Sequence, residues 1–106
     1  MQRGEIRWYK FSSPDKKRPV LLLTRDSVLD YLGEVTIAPI TTAFRDIPSE
    51  VLLGPDDGMP RPCAINLDHV QTVAKAKLGS VITILPPARM SEVRFALLFA
   101  LGFGKA

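Results

Sequence analysis

Histidine and cysteine are almost missing from this chain. Its 106 residues hold one of each, His69 and Cys63. A single cysteine cannot close an internal disulfide, which suits a reducing cytoplasm. Cys63 sits in the apolar run Cys63-Ala64-Ile65 and reads as a small core residue rather than a nucleophile. With one His and one Cys there is no HExxH, no CxxC and no zinc-ligand spacing, so neither metal nor cofactor is expected. The seven glycines are scattered and form no phosphate-cradling loop. Long hydrophobic runs are also lacking. The longest, Phe95 to Leu101, falls well short of the roughly 20 residues a membrane helix needs. The amino terminus, Met1-Gln2-Arg3-Gly4-Glu5, carries no signal-peptide core, so a cytoplasmic protein is expected.

What is present is a basic amino-terminal quarter. Residues 1–25 hold Arg3, Arg7, Lys10, Lys16, Lys17, Arg18 and Arg25 against Glu5 and Asp15, within a chain of net charge +3. The rest of the chain is slightly acidic. Positive charge gathered in one segment suits a polyanionic partner.

The pattern is mostly β. Glu5 to Phe11 alternates at period two, with Ile6 and Trp8 on one face and Arg7, Tyr9 and Phe11 on the other. Arg18-Pro19-Val20-Leu21-Leu22-Leu23-Thr24 reads as a buried strand with a cation at its mouth. The polar stretch Ser12 to Lys17 joins the two as an antiparallel hairpin. Asp26 or Ser27 is expected to cap a short helical turn through Val28, Leu29 and Leu32. Further strands are expected at Glu34–Ile40, with Pro39 marking an edge or a bulge, and at Ser49–Leu53. Cys63–Leu67 and Val70–Val73 are two strands or one bent at Asp68-His69, and Val81–Leu85 ends the set. A helix then runs from Ala88 or Ser91, with Ser91 as N-cap, to Leu101. Its apolar stripe would be Val93, Ala96, Leu97, Ala100 and Leu101. Leu98 and Phe99 widen that stripe, which would give the helix a second surface to cover: a second subunit or a deeper core. Short strands at intervals of about ten residues followed by one helix argue for a small β-barrel or a partly open sheet, in a single domain over residues 1–106.

The polar groups at the strand ends are Arg18, Thr41, Thr42, Asp68 and His69. Such a set can act on a phosphodiester. Cleavage of RNA by its own 2′-hydroxyl needs a base for that hydroxyl, support for the phosphorane, and a proton for the departing 5′-oxygen. Arginine brings charge and donors to phosphate oxygens, and threonine an oriented hydroxyl.

Four segments carry a family resemblance. They are Arg3-Gly4-Glu5-Ile6 with Trp8; Arg18-Pro19-Val20-Leu21; Ala38-Pro39-Ile40-Thr41-Thr42; and Glu50-Val51 with Asn66-Leu67-Asp68-His69-Val70-Gln71-Thr72-Val73. In this order they resemble the MazF/PemK family of toxin endoribonucleases. The resemblance implies an SH3-like small β-barrel with a short helix after the second strand and a C-terminal helix, acting as a homodimer. It implies metal-independent cleavage of single-stranded RNA to a 2′,3′-cyclic phosphate and a 5′-hydroxyl, and neutralisation by a cognate antitoxin. It assigns the catalytic pair to Arg18 and Thr41. Lys16, Lys17, Thr42, Asp68 and His69 would then bind RNA. The chain departs from the family in three places. The segment before Arg18 lacks the usual Glu, Gln or His, with Asp15 the candidate substitute. His69 stands where glutamine is usual, and Gln71 where arginine is. A non-catalytic, CcdB-like toxin or a binding module on the same scaffold is the alternative.

Overall fold

The computed structural model describes residues 1–11 and 16–104; the turn expected at Ser13-Pro14-Asp15 lies outside them. Seven strands and one α-helix follow in order: β1 Glu5–Lys10, β2 Lys17–Leu22, β3 Glu34–Thr41, β4 Glu50–Leu53, β5 Cys63–Asn66, β6 Gln71–Ala74, β7 Leu78–Ile84 and α1 Pro87–Leu101. The hairpin expected of the first two strands forms, pairing Trp8 with Pro19 and Tyr9 with Arg18.

Leu21 packs into one hydrophobic cluster with Ile6, Ile40, Ile65 and Val93. Val20 and Leu22 pack into a second with Leu29, Val35, Ile37 and Val73. β2 therefore buries both of its faces, which explains its unbroken apolar run where β1 alternates. Cys63 lies in the first cluster, 3% exposed.

β3 is the centre of the molecule. Its first half, Glu34–Ile37, pairs with β6, and its end, Ile40–Thr41, pairs with β5. Along its other side it pairs with β2. Pro39 therefore marks neither an edge strand nor a bulge as expected. It falls where that flank of β3 changes partner, so its missing N–H interrupts no ladder there.

The sheet runs β4-β5-β3-β2-β1-β7, with β6 on β3. No strand pair among the described residues joins the two ends, so of the two forms expected, barrel and partly open sheet, the open one is found. The β4 edge is covered by α1 instead: the Arg89 guanidinium donates to the Leu52 carbonyl oxygen. The class, mainly β with a C-terminal helix, is as expected.

Two caps differ from the sequence pattern. The turn after β2 is a single 3₁₀ turn, Asp26–Val28, with Arg25 at its N-cap position and no side-chain cap. Asp26 is drawn elsewhere, accepting the backbone N–H of Arg3 at 2.6 Å. Helix α1 starts at Pro87 with Pro86 before it, and Ser91 lies inside the helix. Proline tolerates the first helical position because its N–H would be unpaired there anyway. In α1, Val93 and Ala96 are buried, and Met90, Leu97 and Ala100 pack on the core. Leu101 belongs outside that stripe: it is exposed, as are Phe95, Phe99 and Phe103. No helix is long and apolar enough to cross a membrane among the described residues.

Candidate functional site

The site begins with the register of β2 against β3. Their last pair at this end is Val20 with Pro39. Continued two residues further, the same register would set Arg18 opposite Thr41. The ladder stops first, and a cleft of about 340 Å³ opens there, lined by Arg18, Ile40, Thr41, Arg45, Asn66 and His69, among others. Next to it, Lys16, Lys17, Arg18, Pro19 and Thr42 line a second hollow. A third takes in Trp8, Thr41, Thr42 and Arg61. The hollows share Ile40, with Arg18, Thr41 and Thr42 each common to two of them, so they form one continuous surface.

The expected residues fall on it as follows. Arg18, Thr41, Thr42, Lys16, Lys17 and His69 all line it. Asp68 does not. Its carboxylate accepts the Ser49 hydroxyl at 2.5 Å, which fastens the turn that carries His69.

Among the described residues, no hydrogen bond or ion pair engages the Arg18 side chain, which is exposed. Thr41 Oγ1 accepts the Ala43 N–H at 3.1 Å, leaving its own O–H proton to donate. The surface thus offers a planar cationic fork and a hydroxyl donor on adjoining strands.

Sequence reasoning misses Arg45, Glu50, Asn66, Trp8 and Arg61 as site residues. The side chain of Glu50 is almost fully buried, and its Oε1 accepts the Arg45 backbone N–H at 2.8 Å. The Arg45 guanidinium reaches Oε2 at 3.5 Å but stays largely exposed. Glu50 therefore anchors the loop after β3 while satisfying its own charge. The local sequence holds no signal for this, since the pair forms across a loop. Trp8 does carry one: on an alternating strand it shares a face with Ile6, yet it is a third exposed, at the rim of the cleft.

A larger groove, about 750 Å³, lies between α1 and β4, lined by Leu52, Phe95, Phe99 and Arg89 among others. It contains neither Arg18 nor Thr41, and its wall is mostly apolar. Cys63 lies instead at the third hollow, where burial first and then the charge of Asp57 push its thiol above the ordinary range. No group of three or more His, Cys, Asp or Glu side chains converges as a metal site among the described residues.

Known proteins resemble this arrangement along almost its whole length. Residues 2–101 match the family described as PemK-like, MazF-like toxin of type II toxin-antitoxin system. The chain is 38% identical over 93 residues to a probable endoribonuclease MazF2 of Mycobacterium tuberculosis, covering 87% of this chain and 89% of that one. It is 38% identical over 96 residues to probable endoribonuclease MazF5 of the same species, covering 90% and 87%. Among solved structures, Mycobacterium tuberculosis toxin MazF-mt6 superposes with a TM-score of 0.86 at 33% identity, over 95% of this chain and 99% of that one. A mycobacterial endoribonuclease in complex with its cognate antitoxin gives a TM-score of 0.87 at 26% identity, over 100% and 99%.

Proposed function

We propose from this premise — the chain belongs to the PemK-like, MazF-like toxins of type II toxin–antitoxin systems — that it cuts single-stranded RNA without a metal ion. The observation that carries the reading is the guanidinium of Arg18, unengaged among the described residues, with the hydroxyl of Thr41 lining the same cleft. In the reaction the 2′-oxygen attacks the adjacent phosphorus and loses its proton to a base. The bond from phosphorus to the 5′-oxygen breaks, and that oxygen takes up a proton. The products are a 2′,3′-cyclic phosphate and a 5′-hydroxyl.

Negative charge builds on the phosphorane oxygens during this step. Arg18 meets it with charge and two parallel N–H donors, and among the described residues no existing partner has to be broken first. Thr41 adds a hydrogen bond from the other strand. Lys16, Lys17 and Thr42 hold the backbone on the flank, and Trp8 offers a stacking face for a base. His69 lines the other end. Asp68 serves by holding the turn of His69 through Ser49.

The work is set in the cytoplasm, where messenger RNA is met. The exposed Phe95, Phe99 and Leu52 beside α1 suit a second copy of the chain. An antitoxin whose acidic or apolar tail covers the cleft would silence the activity through the same cations.

The test is cleavage of a long, structure-poor RNA in EDTA, beside Arg18→Ala, with the ends mapped. Discrete cuts leaving 5′-hydroxyl ends, lost in Arg18→Ala, are the expected result. No cutting across several RNAs and pH values, or equal cutting by the variant, overturns the assignment and points to the non-catalytic, CcdB-like reading.

A further inference from the structure

Asn66 closes β5 and stands opposite Glu50 of β4, 8% exposed. Its amide has two ends of opposite character, and both are in use. Oδ1 accepts the backbone N–H of Asp68 at 3.0 Å. A backbone N–H can only donate, so the end that faces it is the oxygen. The NH₂ end is thereby fixed toward His69, where Nδ2 lies 3.4 Å from Nδ1 of the ring. An amide NH₂ can only donate as well, so Nδ1 must accept with its lone pair. A neutral imidazole that accepts at Nδ1 carries its proton at Nε2.

The turn that holds this geometry is fastened from outside. Ser49 donates its hydroxyl to Asp68 Oδ2 at 2.5 Å, and its carbonyl accepts the Leu67 N–H at 3.0 Å. The ring lies on the cleft that contains Arg18 and Thr41.

We propose that Asn66 is a positioning residue that locks His69 as the Nε2–H tautomer, so that His69 meets RNA as a hydrogen-bond donor and is not the base that activates the 2′-hydroxyl. In the neutral ring the one basic lone pair is spent on Asn66, and the other nitrogen already bears a proton. Such a ring can hold an acceptor atom of the RNA but can take no proton from it. The assignment of RNA as the occupant rests on the function proposed above; the tautomer does not.

The chain has one histidine, so the ring can be read without assignment. In a long-range ¹H–¹⁵N correlation spectrum of the native protein, with the ring neutral, the proton is expected on Nε2. Asn66→Asp keeps an acceptor for the Asp68 N–H but presents a carboxylate oxygen to Nδ1, which moves the ring proton to Nδ1. Asn66→Asp also sets a carboxylate opposite Glu50, so Asn66→Ala is run beside it; there the ring relaxes to the mixture of a free imidazole, with Nε2–H still the larger share and Nδ1–H now present. A wild-type ring with an appreciable Nδ1–H population, or a folded Asn66→Asp variant that keeps the wild-type tautomer, overturns the proposal. This result stands even if the protein cuts no RNA.

Cleavage supplies the second arm. His69→Ala is expected to lower kcat/KM about tenfold, the worth of a hydrogen bond of about 1.4 kcal/mol. His69→Gln retains a side-chain N–H and should recover to within about threefold of wild type, which a lost base would not allow. If His69→Gln is as slow as His69→Ala, the donor role is wrong.

Discussion

Two arginines of this chain sit in opposite circumstances. Arg89 is fully engaged. Its Nε donates to Asp57 Oδ1 at 3.0 Å, Nη1 reaches both oxygens of Glu92 at 2.8 Å, and Nη2 bonds the Leu52 carbonyl. Burial alone would make its proton easier to lose, but Glu92 and Asp57 more than offset this and hold the charge more tightly than usual. Arg18 has no such partner among the described residues. Each is an arginine beside an open groove, and only the second is available to a ligand. A guanidinium whose donors are all spent builds structure. One left free at a strand end costs little in water and is ready for a phosphate.

That contrast can be broken by swapping what each residue loses. Arg18→Ala is expected to cut RNA cleavage by about a thousandfold, the upper range for removing a preorganised donor, while the melting temperature stays put. Thr41→Val should cost about a hundredfold in kcat by the same reasoning; measured KM separates this from weakened binding. Arg89→Ala should show the reverse signature. It loses charge-assisted bonds in a partly shielded site, worth about 2 kcal/mol, which corresponds to a fall of roughly 10 °C in Tm. Activity of the still-folded fraction is retained. If Arg89→Ala abolished cutting with the fold intact, or Arg18→Ala unfolded the chain, the division of labour would be wrong.

Smaller effects sharpen the same line. Removing Lys16 and Lys17 together should weaken RNA binding and flatten its salt dependence by about 0.7 in logarithmic slope for each phosphate no longer neutralised. Cys63, beside the Arg89 cluster, tests the electrostatics of Asp57. Its thiol is raised by burial and then by Asp57, so as pH climbs the unfolded chain loses its thiol proton before the folded one does. The stabilisation is whole below the ordinary thiol range and declines above it. Native protein should therefore be alkylated far more slowly than unfolded protein at alkaline pH, as thiol titration would show.

Much of this fold is legible in the chain. The run Val20–Leu23 announces a strand buried on both faces, and Arg18 and Thr41 stand at the ends of strands that the pattern places correctly. What pattern cannot supply is partnership. Pro39 looks like an edge signal because proline removes a donor; only the three-dimensional pairing reveals that β3 changes neighbours there. Ser91 and Asp26 have cap chemistry, yet Pro87 starts the helix earlier and the Arg3 backbone claims Asp26. Arg45 and Glu50, five residues apart across a loop, have no periodicity to betray them. Asp68 stands out by its place in the motif, but its carboxylate is turned to Ser49 rather than the cleft.

The change of partner along β3 also sets the mechanics of the site. Arg18 is fixed to the β1–β2 hairpin, while Thr41 is hydrogen-bonded into the β4–β5 layer through its pairing with Ala64. The two layers share the backbone of β3 around Ala38 and Pro39 as well as the core that holds Leu21 and Ile65. The path of that stretch sets the gap between Arg18 and Thr41, the two groups proposed to act on the phosphate. A one-residue insertion beside Pro39 would slip Thr41 onto the opposite face of its strand, away from Arg18.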